Sequence, residues 1–225
     1  MDVASVIILL TGLGLGLAHS LDADHVVAVT TLVCNNKSIR KSVASATVWG
    51  VGHSTVLLIA GVAVLILRIA IPESVVNVFE FAAAVLLVIL GIYVLRPLIK
   101  ERIHIHQHKA GITHNHTHTH SHSPDTPGRG HLHKSALTGV LQGMGGTAAL
   151  MLVTLTTVST VEMGILFIVI FGVGVILGMV GISCLVGSVI AYAANRLEKV
   201  HKIIMAFTGS VSIVFGIAII LGILL

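Results

Sequence analysis

The chain has 225 residues, of which 55% are hydrophobic and only 10% charged, with a formal net charge of +4. This composition excludes a soluble globular domain and predicts a polytopic membrane protein of all-α class. The small basic excess implies no nucleic-acid partner, because its distribution reads as membrane orientation instead.

Hydropathy predicts six spans, roughly Val3–Val33, Val43–Ala70, Val75–Leu98, Ala136–Val158, Met163–Ala194 and Ile203–Leu225. The first is not expected to be a cleaved signal peptide, since Met1-Asp2 supplies no basic leader and the apolar run is too long. As a straight helix it would reach about 46 Å, so tilt, a break or protrusion is expected. Within it stands Gly16-Leu17-Ala18-His19-Ser20-Leu21-Asp22-Ala23-Asp24-His25. Hydrocarbon cannot hydrate two imidazoles and two carboxylates, so such residues face a cavity, a partner or an ion.

On a helical wheel His19, Asp22 and His25 fall at about 0°, 300° and 240°, one stripe, while Asp24 falls near 140° on another face. Asp24 therefore needs a second partner, or the helix must distort. Gly12, Gly14 and Gly16 favour distortion, with Ser20 as the cap of a restarted half-helix. Imidazole nitrogen with carboxylate oxygen, and no thiolate, is a ligand set for a borderline divalent metal. The alternative, a polar cluster that only holds helices together, normally uses Ser, Thr, Asn or Gln.

Span one ends near Cys34, and Cys184 lies in span five; isolated from each other, they read as packing thiols rather than a disulfide. Span two carries His53 within Gly50-Val51-Gly52-His53-Ser54-Thr55, where the glycines permit close approach of another helix. His53 is a candidate ligand or partner of a ligand. Asp22 and Asp24 are candidates either to bind the ion or to orient a ligating imidazole. Glu80, near the start of span three, is expected to pair with Arg68, with carriage of a proton or guidance of cations as alternatives.

The link 99–135 holds ten histidines: His104, His106, His108, His114, His116, His118, His120, His122, His131 and His133. With Pro124, Pro127, Gly128 and Gly130 it has no apolar period, so it reads as a flexible metal-buffering loop. It divides the chain into segments 1–98, 99–135 and 136–225. All Lys and Arg except Arg68 follow span one or lie between spans three and four or five and six. By the positive-inside rule the His-rich loop is cytoplasmic and both termini are outside.

The halves resemble each other. Thr11-Gly12-x-x-x-Gly16 matches Thr138-Gly139-x-x-x-Gly143, Trp49-Gly50-Val51-Gly52 matches Phe171-Gly172-Val173-Gly174, and Gly91-Ile92 matches Gly216-Ile217, at offsets of 127, 122 and 125. Three spans per copy invert the second copy, predicting a 3+3 inverted repeat with a midplane site. Where the first copy carries His and Asp, the second offers Gln142, Met144 and Thr147 as lesser candidates.

His19-Ser20-Leu21-Asp22-Ala23-Asp24-His25 resembles the His-x4-Asp-His signature of the nickel/cobalt transporter permeases. Gly52-His53-Ser54-Thr55 resembles their second motif, which adds Ser54 and Thr55 as lesser pathway candidates. The short chain and Gly143-Met144-Gly145-Gly146-Thr147-Ala148-Ala149-Leu150 are closer to the urease-accessory and cation-efflux branch of that superfamily. The acidic motif of the larger permeases' later helix is missing here. The resemblance implies a secondary transporter of Ni²⁺ or Co²⁺ in the cell membrane, with uptake favoured and efflux through the same site as the alternative. A cytoplasmic metal chaperone is an expected partner. A non-transporting metal buffer and an intramembrane metalloenzyme are weaker readings. The latter lacks a His-Glu-x-x-His motif, and no catalytic cofactor is expected. No Gly-x4-Gly-Lys-Ser/Thr loop is present for ATP hydrolysis by that route.

Overall fold

The structure, a computed structural model, describes residues 3–34, 38–68, 71–104, 129–144 and 160–225. These form seven helices: α1 (Val3–His19), α2 (Ala23–Val33), α3 (Ile39–Leu67), α4 (Glu73–His104), α5 (Arg129–Gln142), α6 (Val161–Arg196) and α7 (Glu198–Leu224). Among the described residues α3, α4, α6 and α7 are each long and apolar enough to cross a membrane, and α1 with α2 forms a fifth span if the bent pair is counted as one. The chain is a multi-pass membrane protein. Of the predicted fourth span, α5 is the described part, and 145–159 lie outside the described residues.

The bundle's composition runs opposite to that of a water-soluble protein. Ile59, Ile66, Leu185, Phe207 and Val214 are each more than 60% exposed on its surface, whereas Ser20, Ser42, Thr138, Ser183 and Ser212 are fully buried. Lipid tails solvate the apolar rim, so helices associate through close backbone approach and interhelical hydrogen bonds. Ser212 Oγ donates to Leu87 O at 2.8 Å, joining α7 to α4, and Ser54 Oγ donates to Gly172 O at 3.1 Å, joining α3 to α6. Trp49, Leu57, Phe171, Val175 and Met179 fill the centre between α3 and α6.

The predicted first span is broken. α1 and α2 meet at 59° across Ser20–Asp22. Ser20 does not cap the second half, contrary to the expectation from sequence: its Oγ donates to Leu17 O at 2.6 Å and so closes α1. Asp22 occupies the cap position of α2 without a side-chain cap bond, because its carboxylate is engaged with His19. α1 crosses α6 at a point with no room for a side chain. A Cβ on Gly16 would collide with the carbonyl oxygen of Phe171, and one on Gly174 would stand 2.5 Å from that of Leu13.

Gly16→Val is expected to force α1 off α6 and lower the apparent Tm in detergent by about 5 °C or more. Gly14→Ala, where a Cβ meets nothing within 4 Å among the described residues, is expected to leave it unchanged.

Candidate metal centre at the helix break

Three imidazoles converge where the first span breaks. His19 ends α1, His25 lies in the first turn of α2, and His53 lies near the middle of α3. Ring centroids are 4.6 Å apart for His19 and His25, 5.0 Å for His25 and His53, and 5.4 Å for His19 and His53. His25 and His53 are each only 1% exposed. One nitrogen from each ring falls within 4.8 Å of the other two. Nitrogens around one ion with bonds of about 2.1 Å lie at most about 4.2 Å apart, so small ring rotations close this set into a coordination shell.

The carboxylates decide which nitrogens point inward. His19 Nδ1–H donates to Asp22 Oδ2 at 2.7 Å and His25 Nδ1–H donates to Asp24 Oδ1 at 2.8 Å. Each bond holds the proton on Nδ1 and leaves the Nε2 lone pair free for a ligand. His19 Nε2, His25 Nε2 and both ring nitrogens of His53 are buried with no hydrogen-bond partner among the described residues. A polar atom left so is costly unless something binds it, and a cation is the group that accepts three lone pairs at once. A second set, Asp22, Asp24 and His25, also offers ligand atoms within 4.8 Å of one another.

Asp24 finds its partner within α2: its carboxylate reaches the ring of the adjacent His25. A cavity of about 310 Å³ adjoins the cluster, lined by His19, Asp22, Asp24, His25, Glu80 and Gln142 with Leu87 and Phe215. Gln142 Nε2 donates to Asp24 O at 3.4 Å, so α5 reaches the site through it. Met144 is buried just beyond α5.

Other sequence candidates lie elsewhere. Ser54 and Thr55 line an apolar groove between α3 and α6, not the imidazole cluster. One and two residues beyond His53 rotate a side chain by about 100° and 200° around the helix. Thr55 Oγ1 donates to Val51 O at 2.7 Å, within its own helix. Of the His-rich loop, His104 and His131 are placed on α4 and α5, and His133 is exposed on α5. Thr147, His106, His108, His114, His116, His118, His120 and His122 lie outside the described residues.

Two aromatic walls were not picked out from sequence as part of the site. The Trp49 ring lies 5.4 Å from His25, and Phe171 lies 5.6 Å from His19. Both carry a recognisable signal. Trp49 precedes His53 by one helical turn, and the internal repeat matches Trp49 to Phe171.

Fold and site together define a class: a multi-pass helical membrane protein with a histidine–carboxylate cluster at a broken span. The urease accessory protein UreH of Bacillus sp. (strain TB-90) is 33% identical over 218 residues, which cover 96% of this chain and 92% of that protein. The chain belongs to the urease accessory protein UreH family, whose named member is accessory to an enzyme rather than the enzyme. No family model and no solved structure matches the chain.

Trp49 is the only tryptophan in the chain, so its emission reports on the cluster. Ni²⁺ or Co²⁺ is expected to quench it in a saturable way. Asp24→Asn, which removes the carboxylate behind His25, is expected to raise the midpoint by about 10–100-fold, as read by fluorescence titration.

Proposed function

We propose that the chain is a secondary transporter for divalent transition-metal ions, nickel or cobalt, across the cell membrane, in the direction of uptake. The observation that carries this reading is the convergence of three imidazoles, two of them buried, with unpartnered buried nitrogens beside a cavity in a membrane-spanning bundle. His19, His25 and His53 bind the ion. Asp22 and Asp24 hold the rings and offset its charge, without which a dication in low dielectric would be prohibitively costly. Neutral imidazoles bind moderately, so the ion can leave. Kinship to a urease accessory protein favours nickel over cobalt or zinc.

An alternating-access plan built on a 3+3 inverted repeat accommodates this role. Its support lies in paired contacts. A Cβ on Gly91 would stand 2.6 Å from Gly209 O, and one on Gly216 would stand 2.6 Å from Ala84 O. The offset of 125 residues carries Ala84 onto Gly209 and Gly91 onto Gly216, so the two crossings are mates. Likewise α1 packs on α6 as α5 packs on α3.

With the basic connections cytoplasmic, Glu80 and the cavity lie toward the outer side, where cations enter. The His-rich loop then receives metal inside and passes it to a cytoplasmic chaperone.

In proteoliposomes containing a metal-sensitive dye, wild-type protein is expected to pass Ni²⁺, and His19→Ala, His25→Ala and His53→Ala to lose at least about tenfold in rate. Unchanged flux in all three would remove the assignment. In cells, deletion that lowers nickel content supports uptake, and deletion that raises it reverses the direction to efflux.

Protons compete with the metal for the same imidazole nitrogens. As pH falls from about 7.5 to about 5.5 the apparent Kd for Ni²⁺ is therefore expected to rise by about tenfold or more. The check is the Trp49 titration repeated across that range; an apparent Kd independent of pH would exclude imidazole ligation.

A further inference from the structure

Toward the basic end of the bundle from the imidazoles, four hydroxyl-bearing side chains are buried between helices: Thr31 on α2, Ser45 on α3, and Ser135 and Thr138 on α5. Thr31 Oγ1 donates to Val27 O at 2.6 Å, and Thr138 Oγ1 donates to Lys134 O at 2.8 Å. Their protons are taken up within their own helices, leaving oxygen lone pairs for water or a cation. Thr31 lies two turns along α2 from Asp24, about 10 Å further toward the basic end.

Thr31, Ser45 and Ser135, with Leu32, Leu90, Tyr93 and Lys134, surround a pocket of only about 20 Å³, against about 310 Å³ for the cavity beside the imidazoles. The smaller space holds about one water molecule, too little for a hydrated divalent ion. Lys134 Nζ sits 3.8 Å from the centroid of the Tyr93 ring, and both residues are exposed.

We propose that Lys134, seated over Tyr93, is the gate through which a metal ion leaves the imidazole site toward the cytoplasm. This inference rests on the transport reading. A lysine and a tyrosine at a membrane interface often serve only as anchors. Here they also wall a pocket whose other sides are the buried Thr31, Ser45, Ser135 and Leu90, with Leu32. The ammonium closes the passage twice over, by filling it and by repelling an approaching dication. A cation–π contact at an exposed site is weak, and the four-carbon stem is flexible, so the gate opens by a side-chain swing. An ion passing it emerges beside the exposed His133, the last imidazole of the His-rich segment.

The test measures initial Ni²⁺ flux into dye-loaded proteoliposomes for wild type, Lys134→Met, Tyr93→Leu and Tyr93→Phe, with Ni²⁺ quenching of Trp49 on the same preparations. Lys134→Met and Tyr93→Leu are expected to pass Ni²⁺ about threefold faster or more, and Tyr93→Phe, which keeps the ring, to match wild type. Quenching midpoints are expected to stay unchanged in all. Flux equal to or slower than wild type in the first two, with quenching intact, overturns the gate and leaves transport standing. A wild-type protein that quenches but passes no Ni²⁺ removes the transport reading and the gate with it. If Lys134→Met does not fold, Tyr93→Leu carries the test alone, since it keeps the ammonium and removes its seat.

Discussion

Two imidazole–carboxylate hydrogen bonds govern this protein's chemistry. Asp22 holds His19 and Asp24 holds His25, each through Nδ1. Without them each ring could carry its proton on either nitrogen and rotate freely in its pocket. With them, two Nε2 lone pairs are aimed at one place, toward the His53 ring that α3 supplies. The bonds also give each carboxylate an imidazole partner where the apolar span is interrupted.

That arrangement depends on a helix that stops and restarts. The 59° bend across Ser20–Asp22 leaves His19 at the end of α1 and His25 in the first turn of α2. Each carboxylate bonds to an imidazole close to it in sequence, Asp22 to His19 and Asp24 to His25. The bend is held by packing rather than by a cap: Ser20 is fully buried against α6, and Gly16 allows α1 to lie directly on the α6 backbone. Irregular backbone at this depth is sustainable only where protein or a cavity surrounds it. Here α6 lies on one side and the cavity on the other.

The bundle is uneven about this site. A roomy cavity that Glu80 and Asp22 make acidic adjoins the imidazoles, while toward the basic end a much smaller pocket is walled by Thr31, Ser45, Ser135, Leu90, Tyr93 and Lys134.

Much of this was readable from residue order alone. Ionisable groups inside an apolar run are so costly that His19, Asp22, Asp24, His25 and His53 stand out without any structure. The excess length of the first span likewise foretold a departure from a straight helix. Hydrophobic runs located α3, α4, α6 and α7, because a bilayer demands length and apolarity whatever the tertiary contacts. Tertiary structure alone decided how the residues pair. Ser20 looks like a cap but closes the preceding helix, and Ser54 and Thr55 adjoin His53 in sequence but face a different groove. Trp49 and Phe171 became walls of the site only when α3 and α6 packed together. Local sequence sets which groups must be satisfied, since solvation cost belongs to each residue. Which partner satisfies them depends on helix crossings tens of residues apart, and those are chosen by backbone approach at glycines such as Gly16 and Gly174.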